Sequence, residues 1–508
     1  MHRLLALATL LVVQSGVLVA LPTLTSATAT PRPVAASVQQ LPLTAVAPSS
    51  GDVSASLRVR GVRPTVTSPL HRTAPFSLMG VTWRDDPAVG EVEVSLRTRT
   101  GGRWSGWETV DADGDDAPDD GSADTRRTIR VGTAPIWTGP SDGIQVRVAS
   151  MDGAAPQDLK IELVDPGTSP ADAVPSAPRG SAHAAQEEPA IISRSQWGAD
   201  ESIRKGSPSY TGAARVGFVH HTASSNDYTA EQAAQMVRGI YAYHVKSNGW
   251  SDIGYNFLVD RYGRAYEGRA GGIDRWVAGA HTGGFNANSF GVSLLGDFST
   301  VPPSAATLGT LSQVLAWKLG AAYRDPMAKA TLVSAGGGTS KYAKGTTATF
   351  DVVSGHRDAG STSCPGATTY AMLPEIRQRV SADLGAGFAG PVVNRTSFPL
   401  SSRGPVTLSA KTVGGLAWTA TVTDAAGAEL ASSRGSDAEV AFSWDLRRAD
   451  GRAVPAGRYA LRLAGTSSSV TARTYATTVV VTGDLCRGTP KARAICRAKQ
   501  RSTVTPTG

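Results

Sequence analysis

The sequence predicts a multidomain protein in which a central α/β domain lies between two β-sandwich domains. Three observations support this fold class. The chain has 508 residues, which allows two or three domains of ordinary size. Polar and apolar residues alternate with a period of two in the regions before and after the middle of the chain, as they do in half-buried strands. The middle of the chain instead combines short apolar strands with helical patterns, which indicates an α/β domain.

The composition excludes a wholly disordered chain and argues against nucleic acid as a partner. Hydrophobic residues make up 41% of the chain and charged residues 18%, which is typical of globular proteins. The net charge of +8 favours attraction to an anionic surface. No zinc-finger spacing, RNA-binding signature or basic helix accompanies that charge, so nucleic acid is not expected.

Residues 1–29 are predicted to be a signal peptide. Arg3 supplies a positive start, residues 4–21 are largely apolar, and residues 27–29 offer a small-x-small cleavage site. A membrane anchor is the alternative, because the apolar stretch approaches spanning length, but its polar interruptions favour cleavage. We therefore expect a secreted, extracellular protein that is at most peripheral to a membrane.

The next three segments are predicted from composition and periodicity. Residues 30–51 are rich in Ala, Pro, Thr and Ser and are expected to be a spacer. Residues 52–165 contain several alternating stretches and predict a β-sandwich, whereas the composition of residues 166–188 indicates a linker. The acidic run 111–120 has the oxygen density of a Ca²⁺ loop but not the EF-hand spacing, so a solvated hairpin loop is preferred.

After the middle domain, the alternation of residues 390–483 predicts a second β-sandwich, and residues 484–508 form a basic tail. Residues 444–445 and 450–459 resemble the immunoglobulin-like domain of flagellar hook-capping proteins, which implies an Ig-like sandwich. This tail either holds the protein on an anionic polymer or a membrane surface, through salt-sensitive attraction, or is simply a solvated terminus. Cys486 and Cys496 are expected to form a disulfide in an oxidising compartment.

The middle domain is predicted to span residues 190–386. The pattern of residues 216–221 indicates a buried strand, and a helix is expected to begin after Thr229, with Gln232 completing a capping box, and to run to about residue 248. Further elements follow from the same patterns: strands at 256–260 and 291–295, and helices at 304–323 and 368–384.

Three residues of this domain are candidate metal ligands. His220 ends the first predicted strand, and His356 and Cys364 lie far downstream, eight residues apart. Two imidazoles and a thiolate suit Zn²⁺ and leave a fourth position for water, as in catalytic zinc sites. The spacing of these three residues is by itself only moderate evidence for a metal site.

Six motifs in order make the signal specific. They are ISRSQWGA at 192–199, FVHHTA at 218–223, DIGYNF at 252–257, YEGR at 266–269, GAHT at 279–282 with NSFGV at 288–292, and the block 356–366. Over nearly 190 residues the chain thereby resembles the peptidoglycan recognition protein and phage-lysozyme-type amidase family. The resemblance implies a zinc-dependent N-acetylmuramoyl-L-alanine amidase that cleaves the lactyl–L-alanine amide of peptidoglycan. It thereby also implies a protein associated with the cell wall, where anionic wall polymers are further expected partners.

The resemblance also implies roles for individual residues. It places the zinc ligands on His220, His356 and Cys364, and a catalytic tyrosine on Tyr255. Thr362 occupies a position where some members have lysine and is a weaker candidate for contact with the oxyanion. The resemblance does not identify which residue acts as the general base.

Substrate contacts are expected from His281, Arg269 and Trp276, each of which also has a structural interpretation. Arg269 either holds a carboxylate of the stem peptide or pairs with an acid of the protein. The remaining histidines and tryptophans of the motifs are interpreted as ordinary: His221 as a neighbour that faces away from the metal, His244 as a helix residue, and Trp197 and Trp250 as core or sugar-stacking groups.

The resemblance leaves two functions. Either the middle domain hydrolyses peptidoglycan, or it only binds peptidoglycan, as family members that lack the cysteine ligand do. The presence of Cys364 favours hydrolysis.

Overall fold

A computed structural model gives the structure of the chain. It describes residues 31–43, 66–86, 88–90, 92–110, 116–127, 130–150, 154–173, 188–399, 404–468 and 470–482. The predicted signal peptide, the basic tail and the Cys486–Cys496 pair lie outside these residues. Within the described part of the chain, no helix is both long and apolar enough to cross a membrane.

The first domain is an antiparallel sheet of nine strands. They are β1 (Ser37–Pro42), β2 (Val66–Thr67), β3 (His71–Arg84), β4 (Val92–Thr100), β5 (Arg103–Trp104), β6 (Glu108–Val110), β7 (Arg130–Gly132), β8 (Ile136–Ser150) and β9 (Lys160–Asp165). The central order is β1-β9-β3-β8-β4-β5. The long strands β3 and β8 each pair with several partners and connect all nine strands in one hydrogen-bonded network, so the predicted division into two sheets is not seen here.

The spacer predicted at 30–51 is wrong over its central part. Strand β1 pairs with β9 along its whole length, from Ser37 opposite Asp165 to Pro42 opposite Lys160. This pairing satisfies the backbone groups at the edge of β9, and that gain outweighs a composition typical of linkers.

The middle domain has a mixed sheet of six strands in the order β10-β13-β12-β14-β11-β17. Its strands are β10 (Ile191–Ile192), β11 (Val216–His221), β12 (Phe257–Val259), β13 (Ala265–Glu267), β14 (Ser289–Leu294) and β17 (Val353–Gly355), while β15 (Lys329–Val333) and β16 (Thr347–Asp351) form a separate hairpin. The helices are α1 (Ala230–Ala242), α2 (Ala305–Ala321), α3 (Ala367–Ala371) and α4 (Leu373–Leu384).

Helix α1 begins as predicted. The Thr229 side chain accepts a hydrogen bond from the Gln232 backbone, and the Gln232 side chain accepts one from the Thr229 backbone, which completes the capping box. A five-residue π-helical turn, Tyr243–Ser247, continues the helix to the expected end.

The helices cover the two faces of the sheet. Along β12, Phe257 and Val259 face the cluster formed by α2 and α4, whereas Leu258 faces the cluster formed by α1. This alternation follows from the two-residue period of a strand. The middle domain is therefore a three-layer α/β structure, as the sequence predicted.

The first and middle domains share one hydrophobic cluster. Ala36, Leu78, Trp137 and Val164 of the first domain pack with the buried face of α1. The predicted linker is also partly ordered, because a short 3-10 helix, Pro170–Ala173, lies against α1. The described residues thus show two domains joined by a common core.

The last domain has two sheets around one hydrophobic cluster. The first sheet has the order β18-β20-β23 and the second β19-β25-β24-β21-β22. The strands are β18 (Gly387–Val393), β19 (Ser397–Pro399), β20 (Val406–Val413), β21 (Ala417–Thr423), β22 (Glu429–Gly435), β23 (Glu439–Trp444), β24 (Gly457–Thr466) and β25 (Tyr475–Thr482). Apolar residues alternate along β23 and β24, and this alternation is the pattern that predicted a sandwich.

Candidate metal centre and active site

Parallel strand pairing brings the two candidate histidine ligands together. Strands β11 and β17 are neighbours, with Val219 opposite Gly355. His220 follows Val219 and His356 follows Gly355, and the ring centroids of the two histidines lie 4.5 Å apart. Because both strands run in the same direction, both imidazoles stand at the same edge of the sheet.

Cys364 joins the two histidines from the loop that follows β17. The Arg357 backbone donates to the Cys364 carbonyl at 2.9 Å, which closes this loop back on the strand end. Cys364 Sγ lies 3.8 Å from His220 Nδ1, and one ligand atom from each of the three residues lies within 4.8 Å of the others. The structure thus brings together residues that are up to 144 positions apart.

The chemistry of these side chains fits a metal ion. His356 is 1% exposed, yet neither of its ring nitrogens has a hydrogen-bond partner among the described residues. A buried imidazole without a partner is costly unless something else satisfies it. Burial also lowers the pKa of His356 to about 3 and the pKa of His220 well below its usual value, so both rings are neutral and hold free lone pairs. Neutral imidazoles and a thiolate are a donor set for Zn²⁺.

His281 lies behind His220. Its ring is fully buried, and Nδ1 lies 3.1 Å from His220 Nε2 and 2.9 Å from the Thr282 hydroxyl. Gly279 and Gly291 flank the ring so closely that a Cβ on either would come within 2.6 Å of it. The contacts of His281 therefore orient His220, which is the structural use that the sequence also allowed, and its substrate contact stays a prediction.

Tyr255 lies beside the candidate ligands. It is 2% exposed, and its ring centroid is 5.6 Å from that of His220. Its hydroxyl donates to Asp116 Oδ2, a residue of the first domain. Burial and the nearby acid raise the pKa of Tyr255 well above its usual value, so the phenol keeps its proton and remains a hydrogen-bond donor.

Asp116 reaches the same point from 139 residues earlier in the chain. Its Oδ1 lies 3.5 Å from His220 Nδ1, and its side chain is 13% exposed. Burial raises the pKa of Asp116 to about 8, although the Tyr255 hydrogen bond opposes this shift. The loop at 111–120, interpreted from sequence as solvated, therefore enters the site over its described residues.

Thr362 and His221 have supporting positions. The Thr362 hydroxyl accepts the backbone N–H of Cys364 at 2.8 Å, which holds the ligand loop, and Thr362 does not line the cavity described below. His221 Nδ1 accepts the backbone N–H of Phe298 at 3.2 Å, and the His221 backbone N–H donates to Cys364 Sγ at 3.4 Å.

Arg269 is paired with an acid. Its guanidinium is 8% exposed and contacts the carboxylate of Asp124, another residue of the first domain, and the Ser251 hydroxyl at 2.7 Å. Of the two interpretations that the sequence allowed, the structure shows the pairing within the protein.

The tryptophans divide between the core and the cavity. The Lys318 ammonium lies 4.2 Å from the ring centroid of Trp276, which does not line the cavity described below, and the substrate contact of Trp276 stays a prediction. Trp197 is 1% exposed and belongs to the shared core. Trp250 lines the cavity and stacks on His244 with centroids 4.6 Å apart.

A cavity of about 520 Å³ opens beside the cluster, between the first and middle domains. The middle domain contributes His356, Cys364, Tyr255, His244 and Trp250. The first domain contributes its opposite wall: Trp83, Asp85, Asp86, Asp116 and Arg130. The volume suits a small peptide or sugar fragment.

Three residues at or near the site, Asp116, Asp124 and Asn286, were not predicted from the sequence. Asn286 binds the first domain through its side chain, which donates to the Ala117 carbonyl at 2.9 Å and to Asp119 Oδ1 at 2.8 Å. The one available signal was the density of acids in the run 111–120, and that run carries no indication of a partner more than 100 residues away.

Comparisons with known families agree with this organisation. Residues 210–367 match the family described as N-acetylmuramoyl-L-alanine amidase, and residues 26–179 match the one described as Rv3811 N-terminal galactose-binding domain-like. The chain is therefore multidomain, with a galactose-binding-like domain ahead of an amidase-like domain.

Relatives in animals resemble the same middle region. Peptidoglycan-recognition protein SC2 of Drosophila simulans is 33% identical over 182 residues, which is 35% of this chain and 82% of that protein. Peptidoglycan recognition protein 1 of Bos taurus is 31% identical over 194 residues, 38% of this chain and 86% of that protein. The N-acetylmuramoyl-L-alanine amidase of Homo sapiens is 34% identical over 191 residues, but these cover only 28% of its length.

Solved structures give matches over a similar share of the chain. Human PGRP-IBETAC in complex with glycosamyl muramyl pentapeptide is 27% identical and covers 36% of this chain and 93% of that one, with a TM-score of 0.29. Wild-type Drosophila PGRP-LB is 28% identical, with the same TM-score of 0.29.

Proposed function

The chain belongs, through its middle domain, to the peptidoglycan recognition protein and N-acetylmuramoyl-L-alanine amidase family, and from this premise we propose that it is a zinc-dependent amidase. The bond cleaved is the amide between the lactyl group of N-acetylmuramic acid and L-alanine of the stem peptide. The substrate is peptidoglycan, which relatives bind according to their names.

One observation carries the proposal: His220, His356 and Cys364 converge at one buried point. These residues would hold the zinc ion, and they leave a fourth position open to a water molecule. When bound there, zinc supplies an activated water at neutral pH and polarises the amide carbonyl.

The surrounding residues have roles that follow from their contacts. His281 and Thr282 lie at 3.1 and 3.3 Å from His220 Nε2 and fix the orientation of that ring. The Tyr255 phenol, which keeps its proton, can donate to the oxygen that becomes negative when the amide is attacked. Tyr255 is 2% exposed, and a buried setting of this kind strengthens such a hydrogen bond.

A binding protein without catalysis is the alternative. The family includes recognition proteins, and the residues of the first domain that lie over the site restrict access to it. Cys364 separates the two functions, because a site that only binds peptidoglycan needs no thiolate beside two buried imidazoles.

We further propose that the protein acts outside the cell, on the cell wall. The predicted signal peptide and the positive net charge support this location, and anionic wall polymers are the proposed additional partners.

The test uses the full chain and two variants of one loop. We expect about one zinc per chain by elemental analysis, and release of intact stem peptides from purified peptidoglycan by mass spectrometry. Cys364→Ser should lose most of the zinc and lower the rate by about 10² or more, because it removes a ligand. Ser361→Ala, which changes an exposed residue of the same loop, is the matched control and should change neither. Bound zinc and saturable peptidoglycan binding without peptide release would favour the binding protein instead.

A further inference from the structure

A second cavity lies between the first and middle domains. It has a volume of about 400 Å³ and shares no lining residue with the cavity beside the candidate metal ligands. The first domain contributes the segment 119–127, and the middle domain contributes mainly the loop 204–209. Five of the lining side chains are cationic, and they come from both domains: Arg126, Arg127, Arg204, Lys205 and Arg269. We call this cavity the basic cleft.

Two of these cations are neutralised by acids of the protein. Arg269 contacts the carboxylate of Asp124, and Arg204 Nε lies 3.1 Å from a carboxylate oxygen of Glu201. The other three form no ion pair with a described residue: Arg126, Arg127 and Lys205. Their hydrogen bonds to described residues go to backbone carbonyls, the shortest for each at 2.5, 3.3 and 2.9 Å. Three cations of the basic cleft are therefore left without a countercharge in the part of the chain that the structure describes.

The other acids that line the basic cleft do not offset this charge. Asp252 Oδ1 lies 3.1 Å from Arg194 Nη1, so its charge is already matched. Asp119 accepts a hydrogen bond from Asn286 Nδ2 at 2.8 Å, and burial raises the pKa of Asp119, which disfavours its charged form. At most one unmatched acid therefore faces three unmatched cations, and the cleft has an excess of positive charge.

Arg127 and Lys205 are held near each other although both are cationic and they belong to different domains. Arg127 packs against two glycines: a Cβ on Gly206 would lie 3.2 Å from Arg127 Nη2, and a Cβ on Gly249 would lie 2.7 Å from the Arg127 carbonyl oxygen. Lys205 Nζ donates to the carbonyl of the same Gly249 at 3.4 Å. Partial burial and the charge of Arg127 lower the pKa of Lys205. This repulsion is unfavourable in the free protein, and an anion between the two groups would relieve it.

We propose that the basic cleft binds phosphodiester groups of an anionic polymer at the cell surface and holds the protein there. Arg126, Arg127 and Lys205 are exposed, so a polymer chain can reach them from solvent. Three unmatched cations exceed the charge of one monoanionic group, and repeated anionic groups along a polymer match them better. A phosphodiester directs its two charged oxygens apart and can bridge Arg127 and Lys205, whereas a planar carboxylate suits one guanidinium at a time.

This inference gives the proposed attraction to anionic wall polymers a specific site. It rests on the proposed function for the location at the cell wall, but not for catalysis. Both domains supply cations to the basic cleft, so the complete site requires the two domains to be packed together. Because the cleft and the metal cavity share no lining residue, a polymer bound in the cleft does not occupy the metal cavity. A protein held on the wall in this way meets wall substrate at a high effective concentration.

The experiment compares the full chain with charge-matched variants. Arg126→Gln combined with Arg127→Gln removes two charges from the first-domain wall of the basic cleft, and Lys205→Gln removes one charge from the middle-domain wall. Arg84→Gln combined with Arg103→Gln is the matched control, because it removes two exposed charges of the first domain that do not line the cleft. The basic tail is the same in all of these proteins, so differences between them report on the cleft.

The probe is a short synthetic poly(glycerol phosphate), whose affinity is measured by calorimetry at several salt concentrations. At low ionic strength we expect binding to weaken about 10-fold in the double cleft variant and about 3-fold in Lys205→Gln, because each exposed charge contributes modestly. The slope of log K against log salt concentration should fall by about 0.7 for each contact removed, as for a flexible single-stranded polyanion. The control should differ from the unmodified chain by less than about 2-fold. Hydrolysis of a soluble muramyl pentapeptide should be the same in all of the proteins.

Three results would overturn the inference. Equal affinities in the unmodified chain and both cleft variants would place polymer binding elsewhere, for example on the tail. An equal loss in the control would reduce the effect to net charge. A polyglutamate with the same number of charges that binds as tightly as the phosphate polymer would assign the cleft to carboxylates.

Two checks keep the test independent of folding and of catalysis. Thermal unfolding shows whether each variant is folded, and Lys205→Gln tests the cleft by itself if the double variant is not. Failure of the proposed function is recognised separately, because a chain that binds the polymer through the cleft but holds no zinc and hydrolyses nothing would contradict only the amidase.

Discussion

Replacing Asp172 by alanine tests how firmly the first domain is attached to the middle domain. Asp172 and Arg238 form an ion pair with two hydrogen bonds of 2.7 Å, and their side chains are 6% and 2% exposed. Arg238 also donates to three backbone carbonyls, those of Pro166, Gly167 and Trp197, at 2.8 to 3.1 Å. This one side chain therefore connects helix α1 to the segment that follows the last strand of the first domain.

The expected loss of stability follows from the buried Arg238 charge that Asp172→Ala leaves without its partner. Removing one partner of a buried ion pair costs about 3–5 kcal/mol, because the other charge stays buried without compensation. Three carbonyls still accept from Arg238 in Asp172→Ala, which places the loss near the lower limit, at about 3 kcal/mol. For a unit of 150–250 residues, this loss lowers Tm by about 6–12 °C.

The assay is urea denaturation and calorimetry of the full chain, with an exposed pair as control. Arg379 and Glu375 form an i,i+4 pair on helix α4, with side chains 45% and 48% exposed. Glu375→Ala should cost less than about 1 kcal/mol, because water screens that pair. A double-mutant cycle with Arg238→Met should give a combined loss well below the sum of the single losses. If Asp172→Ala destabilises the protein no more than Glu375→Ala does, the buried pair is not what attaches the two domains.

Two further predictions concern the site. Tyr255→Phe should lower kcat by about 10² or more at unchanged zinc content, because it removes a donor to the developing oxyanion. Near-normal turnover in steady-state kinetics would show that Tyr255 is only structural. His244 is buried, and its Nδ1 accepts the Gly254 N–H. Burial lowers the pKa of His244 to about 3. Between pH 6.5 and about 3 the unfolded chain therefore binds a proton at this residue that the folded chain does not, and the free energy of unfolding falls as the pH is lowered. His244→Asn, which keeps an acceptor near that position, should reduce the slope of unfolding free energy against pH by about 1.4 kcal/mol per unit between pH 6 and 4 in urea titrations; an unchanged slope would contradict the assignment.

Much of the middle domain was predictable because its signals are local. The capping box at Thr229 and Gln232 determines where α1 begins, and the apolar run at 216–221 forms the central strand β11. The pair His220 and His356 could be proposed as ligands, but only the parallel register of β11 and β17 makes them neighbours. Strand β1 was missed because its pairing with β9 depends on a partner more than 100 residues away, and composition carries no information on such a partner.

The roles of the side chains around the ligands were harder to predict, for a related reason. A motif reports that His281 and Arg269 lie near the site, but not what they face. His281 faces the back of His220, and Arg269 faces Asp124 of another domain, and neither contact has any periodicity in the sequence. The contacts of Asp116 and Asp119 with the middle domain were not predicted, because an acidic run has the same composition whether it is solvated or buried against a partner.

Two of the contacts between the first and middle domains differ in chemistry, and this difference bears on how the site can open. One is apolar: Leu78, Trp137 and Val164 pack against α1, and separating them would expose hydrophobic surface at about 25 cal/mol per Å². Residues 116–127 of the first domain, in contrast, are held mainly by hydrogen bonds and ion pairs, whose exchange with water costs little net free energy when both partners are solvated. Opening at residues 116–127, with the shared core intact, is therefore the less costly motion. It would uncover the ligands while His244 and Trp250 stay in place, since His244 lies in the turn that continues α1.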